Sequence, residues 1–172
     1  IGEYPNSIKF VAGSVGPTNK SLSLSPSVDN PAERGIDWDE LSAAYIEQIK
    51  GLIDGGADIL LIETVFDSLN AKCALWSAQK AMTIVGKEIP IMVSLTLTES
   101  GRTLSGQTLE AVIASIEHFN PMSIGLNCGF GAEKMTPYIA QLDKISDYPI
   151  SVYPNAGFPN EMGEYDESPE TM

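Results

Sequence analysis

Residues 59–63 read Ile-Leu-Leu-Ile-Glu, an unbroken apolar run that ends on a carboxylate. Runs that are apolar throughout, rather than alternating, are typical of strands buried on both faces of a parallel sheet. Similar runs occur on both sides of this one along the chain. The predicted strands are residues 8–15, 57–65, 89–97, 123–128 and 150–153.

Amphipathic helical patterns fill the intervals between these strands. In residues 39–53, for example, Leu41, Tyr45, Ile49 and Ile53 recur at four-residue steps, which places them on one helix face. The other predicted helices are residues 68–85, 108–119 and 132–145. Gly55, Gly86 and Pro121 follow three of the helices and act as stop signals.

The tripeptide Ser168-Pro169-Glu170 predicts the start of a further helix, because it offers an N-cap, a proline at the first helical position and an early acid. Strands and helices therefore alternate along the whole chain. Such alternation indicates an α/β fold with right-handed crossovers.

Two closures fit this order, an open doubly wound sheet and a barrel. Polar or glycine-rich segments follow every predicted strand, at residues 16–18, 63–64, 94–98, 127–129 and 154–157. In a (β/α)8 barrel the active site gathers at the C-terminal ends of several strands, whereas a doubly wound sheet concentrates its chemistry at one switch point. We therefore expect a TIM barrel.

A whole TIM barrel takes about 250 residues, and this chain has 172. We expect residues 1–172 to form one partial barrel domain, an interior portion of a (β/α)8 barrel that is roughly two thirds complete. It would contain five parallel strands and four helices.

Composition excludes several classes of function. The chain has 23 acidic and 10 basic residues, a net charge of −13, and its basic residues are scattered, which argues against nucleic-acid binding. No apolar run reaches the roughly 20 residues of a membrane span, and no export signal is recognisable. Two cysteines, Cys73 and Cys128, make no disulfide framework and favour a reducing, cytoplasmic setting.

Cys128 is the more interesting cysteine, because it lies at the end of a predicted strand between Asn127 and Gly129. A thiolate there suits a nucleophile or a zinc ligand, although an isolated cysteine is more often a small buried residue. Cys73 occupies a core-facing position of a predicted helix, where packing is the expected role.

Two polar residues at other strand ends are further candidates. Glu63 follows a buried strand, where it suits a substrate ammonium or base catalysis, or is held structurally by loop amides. Asn155 fits either a turn or a ligand that offers its amide oxygen.

Taken together, the segments 11–18, 55–67, 101–108, 125–128 and 153–157, followed by 163–166, resemble the homocysteine-binding domain of cobalamin-dependent methionine synthases. They include Gly-Ala-Asp-Ile-Leu-Leu-Ile-Glu-Thr (56–64), Gly-Leu-Asn-Cys (125–128) and Tyr-Pro-Asn-Ala-Gly (153–157). They occur in order across nearly the whole chain. The fold of that family is a (β/α)8 barrel, which agrees with the expectation from the strand and helix pattern.

The resemblance implies a zinc site that activates homocysteine as a thiolate, with no catalytic residue separate from it. Cys128 matches the first of three zinc cysteines, and Asn155 matches an oxygen ligand used when homocysteine is absent. Glu63 matches the acid that binds the homocysteine ammonium. Asn127 and Ser94 are expected to line the substrate site by position only.

The resemblance also implies partners that this chain does not bind itself. In the family the methyl group comes from methylcobalamin, which another domain recharges from methyltetrahydrofolate. The other two zinc cysteines lie in a Gly-Gly-Cys-Cys-Gly motif that is absent from this sequence. One thiolate and one amide do not make a four-coordinate site, so we expect the chain alone to bind zinc weakly and to be inactive.

Two alternatives remain open. The first is a cobalamin-independent homocysteine methyltransferase that uses betaine or S-methylmethionine, although residues 18–38 with Leu-Ser-Leu-Ser-Pro (22–26) look more like the cobalamin-dependent group. The second is a non-catalytic unit that self-associates through the open sheet edges of an incomplete barrel.

Overall fold

The computed structural model describes residues 7–157, 159–165 and 167–172. It confirms the predicted fold class: five parallel strands form one curled sheet, a half-barrel, in the order β1-β2-β3-β4-β5. Strand order follows chain order, as in a barrel. The strands are β1 (Ala12–Val15), β2 (Ile59–Val65), β3 (Ile91–Leu95), β4 (Ser123–Asn127) and β5 (Val152–Tyr153).

Four α-helices connect the strands, as predicted. They are α1 (Trp38–Asp54), α2 (Ser68–Val85), α3 (Leu109–Ile116) and α4 (Ala132–Ile145). The predicted helix 108–119 ends in a 3₁₀ turn, Glu117–Phe119. None of the helices in the described part of the chain has both the length and the apolar content that crossing a bilayer requires.

Side-chain caps set the starts of three helices. Asp37 accepts a hydrogen bond from the backbone N–H of Glu40 at the start of α1, and Thr108 accepts one from Ala111 at the start of α3. Asp67 does the same for Leu69 in α2. Each cap satisfies a backbone N–H that has no partner inside the helix.

The hydrophobic core lies between the sheet and the helices. Leu41, Leu60, Leu75 and Ile124 are fully buried there. Cys73 is also 0 % exposed, which confirms the prediction that it packs in the core.

The other face of the sheet is concave and carries the polar residues. Strand register places Ser14 beside Leu61, Ser94 beside Gly125, and Asn127 beside Tyr153. The Glu63 carboxylate lies on the same face, because it accepts hydrogen bonds from Ser14 and Tyr153. The concave face at the C-terminal strand ends therefore consists of Ser14, Glu63, Ser94, Asn127 and Tyr153.

The long loop between β1 and α1, residues 16–37, is tied to the start of α2. Ser21 donates a hydrogen bond to the Asp67 carboxylate, and Ser23 Oγ donates to the same group at 2.7 Å. Asn70 Oδ1 accepts from the backbone N–H of Leu22 at 2.8 Å. Asp67 is only 1 % exposed, so water does not compete for its carboxylate. These bonds therefore hold the loop against the start of α2, beside the strand ends.

The two largest differences from the predicted elements are at residues 8–15 and at Ser168. The predicted first strand, residues 8–15, is shorter: β1 begins at Ala12, and Ile8, Phe10 and Val11 are mostly exposed. At Ser168, predicted to cap a new helix, the carbonyl accepts from the N–H groups of Thr171 and Met172, and residues 169–171 form a turn.

Candidate functional site

Glu63 is fixed by hydroxyl groups from the strands on either side of the concave face. Ser14 on β1 donates a hydrogen bond to Oε1, and the Tyr153 hydroxyl on β5 donates to Oε2 at 3.3 Å. A carboxylate has about four lone-pair positions. Each oxygen therefore keeps capacity to accept a further hydrogen bond from a ligand.

The Tyr153 phenol remains protonated over the whole physiological range. Burial raises its pKa to about 12, the Ser94 hydroxyl opposes that rise, and the negative charge of Glu63 adds to it. A protonated phenol can donate to a carboxylate, whereas a phenolate would repel it. Tyr153 is therefore the hydrogen-bond donor, and its bond orients the Glu63 carboxylate.

Asn127 lies at the centre of the site and is 1 % exposed. Its Oδ1 accepts from Ser94 Oγ at 2.6 Å and from the backbone N–H of Thr64 at 3.0 Å. Its Nδ2 donates to Thr64 Oγ1 at 2.8 Å and to Cys128 Sγ at 3.1 Å. This one amide connects the ends of β2, β3 and β4.

The backbone is strained on both sides of this amide. Thr64 has φ +57° and Cys128 has φ +53°, both in the left-handed region. Left-handed conformation is costly for side chains with a Cβ atom and uncommon for a β-branched residue. Such strain persists only where surrounding contacts enforce it, and it is concentrated at functional sites.

Cys128 and Asn155 lie in neighbouring segments at the ends of β4 and β5. The Cys128 carbonyl accepts from the N–H of Phe130 at 2.6 Å, and the Phe130 carbonyl accepts from the N–H of Asn155 at 3.0 Å. Both side chains are partly exposed. The structure thus brings the two predicted metal ligands to one place in the fold, where the backbone of Phe130 links their segments.

Zinc requires more ligands than these two residues supply. Among residues 7–157, 159–165 and 167–172, no three His, Cys, Asp or Glu side chains are grouped so as to hold a metal ion. Protein zinc sites use three or four such ligands. The described residues therefore do not form a zinc site by themselves, and the roles of Cys128 and Asn155 as ligands stay predictions.

The structure adds three residues that the sequence reasoning missed: Ser14, Thr64 and Tyr153. Thr64 and Tyr153 had a usable signal, because both lie at the ends of predicted strands, where the site was expected. Ser14 had none, since it lies within a predicted strand and nothing in its local sequence distinguishes it.

Nearly the whole chain matches one known protein family. A family model described as homocysteine S-methyltransferase matches residues 2–172. The match includes every strand end described above.

Solved structures show the same fold. The apo form of the homocysteine methyltransferase MmuM from Escherichia coli is similar with a TM-score of 0.63 and 24 % identity, over 84 % of this chain and 48 % of that one. The metallated form of the same enzyme gives a TM-score of 0.65 and 25 % identity, over 86 % and 49 %. The chain thus spans about half the length of the solved relatives it matches.

Proposed function

The chain belongs to the homocysteine S-methyltransferase family, and from that premise we propose that its strand ends bind homocysteine for transfer of a methyl group to the sulfur. The observation that carries this proposal is the Glu63 carboxylate, held between the hydroxyls of Ser14 and Tyr153 on the concave face. Homocysteine is an amino acid with a thiol at the far end. Its ammonium group requires an anion at one side of the site, and its thiol requires an activating group at the other.

Glu63 is proposed to bind the ammonium group. An ammonium has three N–H donors, and the two carboxylate oxygens retain free acceptor positions after their bonds to Ser14 and Tyr153. The position is partly exposed, so a ligand can reach it. Ser94 and Asn127, which lie on the same face, are proposed to line the site.

The thiol end is proposed to lie towards Cys128 and Asn155. A free thiol is mostly protonated at neutral pH, and only the thiolate is a good nucleophile. Bound zinc would lower the thiol pKa, and Cys128 and Asn155 are proposed to contribute one sulfur and one oxygen ligand. Since the described residues do not complete such a site, the chain alone is expected to bind zinc weakly and to transfer no methyl group.

NMR titration of the 172-residue chain with L-homocysteine tests the ammonium site. The Glu63→Gln variant should weaken binding about tenfold or more, because a hydrogen bond between charged groups is lost. N-acetylhomocysteine, which lacks the ammonium, should bind as weakly to the wild-type chain. Equal binding of both ligands, or by both proteins, would contradict the assignment.

Glu88→Gln is a matched control for the same titration. Glu88 is exposed and lies between α2 and β3, at the opposite end of the strands. The control removes the same charge without touching the concave face. Binding should stay within twofold of wild type.

The methyl donor is proposed to be methylcobalamin, recharged from methyltetrahydrofolate by other domains. The segment 22–26 supports this choice through its resemblance to the cobalamin-dependent group, and Asp67 and Asn70 hold that segment beside the strand ends. S-methylmethionine or betaine remains the alternative donor. Assays of the whole protein with homocysteine and each donor in turn would distinguish them, since only one donor should yield methionine.

A direct zinc titration tests the metal proposal separately. The 172-residue chain, without an affinity tag, should show no tight one-to-one site. A submicromolar site in this chain would mean that its own residues complete the coordination, against our expectation.

A further inference from the structure

Every hydrogen-bonding position of the Asn127 side chain is used inside the protein. An asparagine amide can accept two hydrogen bonds and donate two. Ser94 Oγ and the Thr64 N–H occupy Oδ1, while Thr64 Oγ1 and Cys128 Sγ occupy Nδ2. Asn127 therefore has no hydrogen-bonding capacity left for a ligand.

The orientation of the amide is fixed by its partners. The backbone N–H of Thr64 can only donate, so the atom facing it must be the oxygen. Nδ2 then necessarily faces Cys128 Sγ at 3.1 Å. The amide cannot turn over without placing two donors against each other.

Two of the three residues that bind the Asn127 amide have strained backbone: Thr64 at the end of β2, and Cys128, the next residue in the chain. Thr64 and Cys128 both have left-handed backbone, and pairing between β2 and β3 shifts register between Ile62 and Val65. Irregularities of this kind redirect side chains next to active sites. Glu63 lies within the shifted segment, so the conformation of Thr64 determines where its carboxylate points.

We propose that Asn127 is a positioning residue: its amide holds Thr64 and Cys128 in left-handed conformation and so fixes the span between the Glu63 carboxylate and the Cys128 thiol. The proposal rests on the proposed function, in which these groups serve the two ends of an amino-thiol ligand. Asn127 acts through its neighbours and forms no hydrogen bond with the ligand. Its loss should therefore change the geometry of both ends together.

A double-mutant cycle tests this role. Glycine adopts positive φ without a steric cost, so Thr64→Gly should make the β2 end independent of the amide. In the wild-type background, Asn127→Ala should raise the Kd for L-homocysteine at least tenfold. In the Thr64→Gly background the same change should raise it by a clearly smaller factor, because only the Cys128 end still depends on the amide and coupled residues are not additive.

A control variant separates positioning from general destabilisation. Leu142 is fully buried in α4, away from the strand ends, so Leu142→Ala should lower Tm while leaving the homocysteine Kd within twofold. Equal losses of affinity on Asn127→Ala in both backgrounds would overturn the proposal.

Backbone NMR gives a readout that does not depend on ligand binding. The Cα and Cβ chemical shifts of Thr64 and Cys128 report positive φ, and both should leave that range in Asn127→Ala. If the shifts stay, the proposal fails. If the wild-type chain shows no saturable response to homocysteine, the proposed function fails, and the shifts still decide the role of Asn127.

A second variant covers the case in which Asn127→Ala does not fold. Asn127→Asp keeps the oxygen that accepts from Thr64 N–H but loses the donor to Cys128 Sγ and the donor to Thr64 Oγ1. The Thr64 hydroxyl can instead donate to the new carboxylate. Thr64 should then retain its left-handed shifts while those of Cys128 change. Unchanged shifts at Cys128 would contradict the proposal.

Discussion

Asn127 and Thr64 are joined by two hydrogen bonds that run in opposite directions, one of 3.0 Å into Asn127 Oδ1 and one of 2.8 Å out of Nδ2. The two residues are 63 positions apart in the chain. A side-chain amide thus pairs with a backbone N–H and a side-chain hydroxyl of one partner. This pairing connects β4 to β2 across the intervening strand β3.

Because of the strain at Thr64, replacement by glycine should give a more stable protein than replacement by alanine, the reverse of the order seen in helices. Both Thr64→Gly and Thr64→Ala lose the hydroxyl, but only alanine has a Cβ atom that makes positive φ unfavourable. The glycine variant should therefore be more stable by up to about 1 kcal/mol. Urea unfolding measures the difference. Ala114→Gly, at an exposed interior position of α3, should instead cost about 1 kcal/mol. A more stable Thr64→Ala would show that φ at this position is not positive.

Gly125 is required by the close approach of β5. A Cβ atom there would lie 1.9 Å from the Ser151 carbonyl oxygen, so Gly125→Ala should cost about 3 kcal/mol or more and weaken the pairing of β4 with β5. Gly51 in α1 has nothing within 4 Å of the same added atom, and Gly51→Ala should stabilise by about 0.5–1 kcal/mol. Thermal unfolding of both variants checks the contrast. Similar Tm changes would contradict the close approach.

The two cysteines should differ sharply in reactivity. Cys73 is 0 % exposed and burial raises the pKa of its thiol to about 11, whereas Cys128 is partly exposed. At pH 8, Ellman's reagent should label one thiol quickly and the second only after unfolding. Cys128→Ser should abolish the fast phase and Cys73→Ser should leave it, and the opposite pattern would reverse the assignment.

Stability should fall in alkaline solution because of buried neutral groups. Burial raises the pKa of Tyr45 from 10.0 to about 12, with Cys73 and Asp67 adding to the rise. A group whose pKa is higher in the folded state stabilises fully below its unfolded pKa, and that contribution is lost as pH rises through the folded value. Urea midpoints measured between pH 9 and 12 should therefore decline, less steeply in Tyr45→Phe. The same decline in both proteins would rule out Tyr45 as a source.

Asp67 should control the order of the β1–α1 loop. Asp67→Ala removes the acceptor for Ser21 and Ser23 as well as the α2 cap, and a lost buried network of this kind costs about 2–4 kcal/mol. Trypsin should then cleave faster within residues 20–34. Asp37→Ala also removes a helix cap at a cost of about 1 kcal/mol, without faster cleavage there. Equal cleavage of the two variants would show that Asp67 does not anchor the loop.

The sequence predicts the elements well where burial is continuous. The run 57–65 predicts a strand because its residues are apolar on both faces, and β2 occupies all but the first two of them. The apolar pattern wrongly predicts a strand at residues 8–11. Apolar side chains indicate burial, whereas the residue at which a strand begins depends on its hydrogen-bond partners. Ile8 is 83 % exposed, and nothing local in the sequence announces it.

The candidate site is predictable in position but not in its contacts. Strand-end polarity indicates Glu63, Asn127 and Cys128, because parallel strands end at one edge. The bonds of Asn127 to Thr64 and Ser94 join residues that are 63 and 33 positions apart. The periodicity of the sequence does not predict these bonds, because they depend on the register between neighbouring strands.

The strand order β1-β2-β3-β4-β5 has a consequence for synthesis of the chain. Each strand pairs only with the one made just before it and the one made just after it, so the sheet can grow from one end as the polypeptide leaves the ribosome. The strand with which each new strand pairs has already been made. Each pairing therefore closes a loop no longer than one crossover connection, which limits its entropic cost. Folding during translation should therefore proceed unit by unit, and the Asn127 bonds to β2 should form only after the fourth strand has been added.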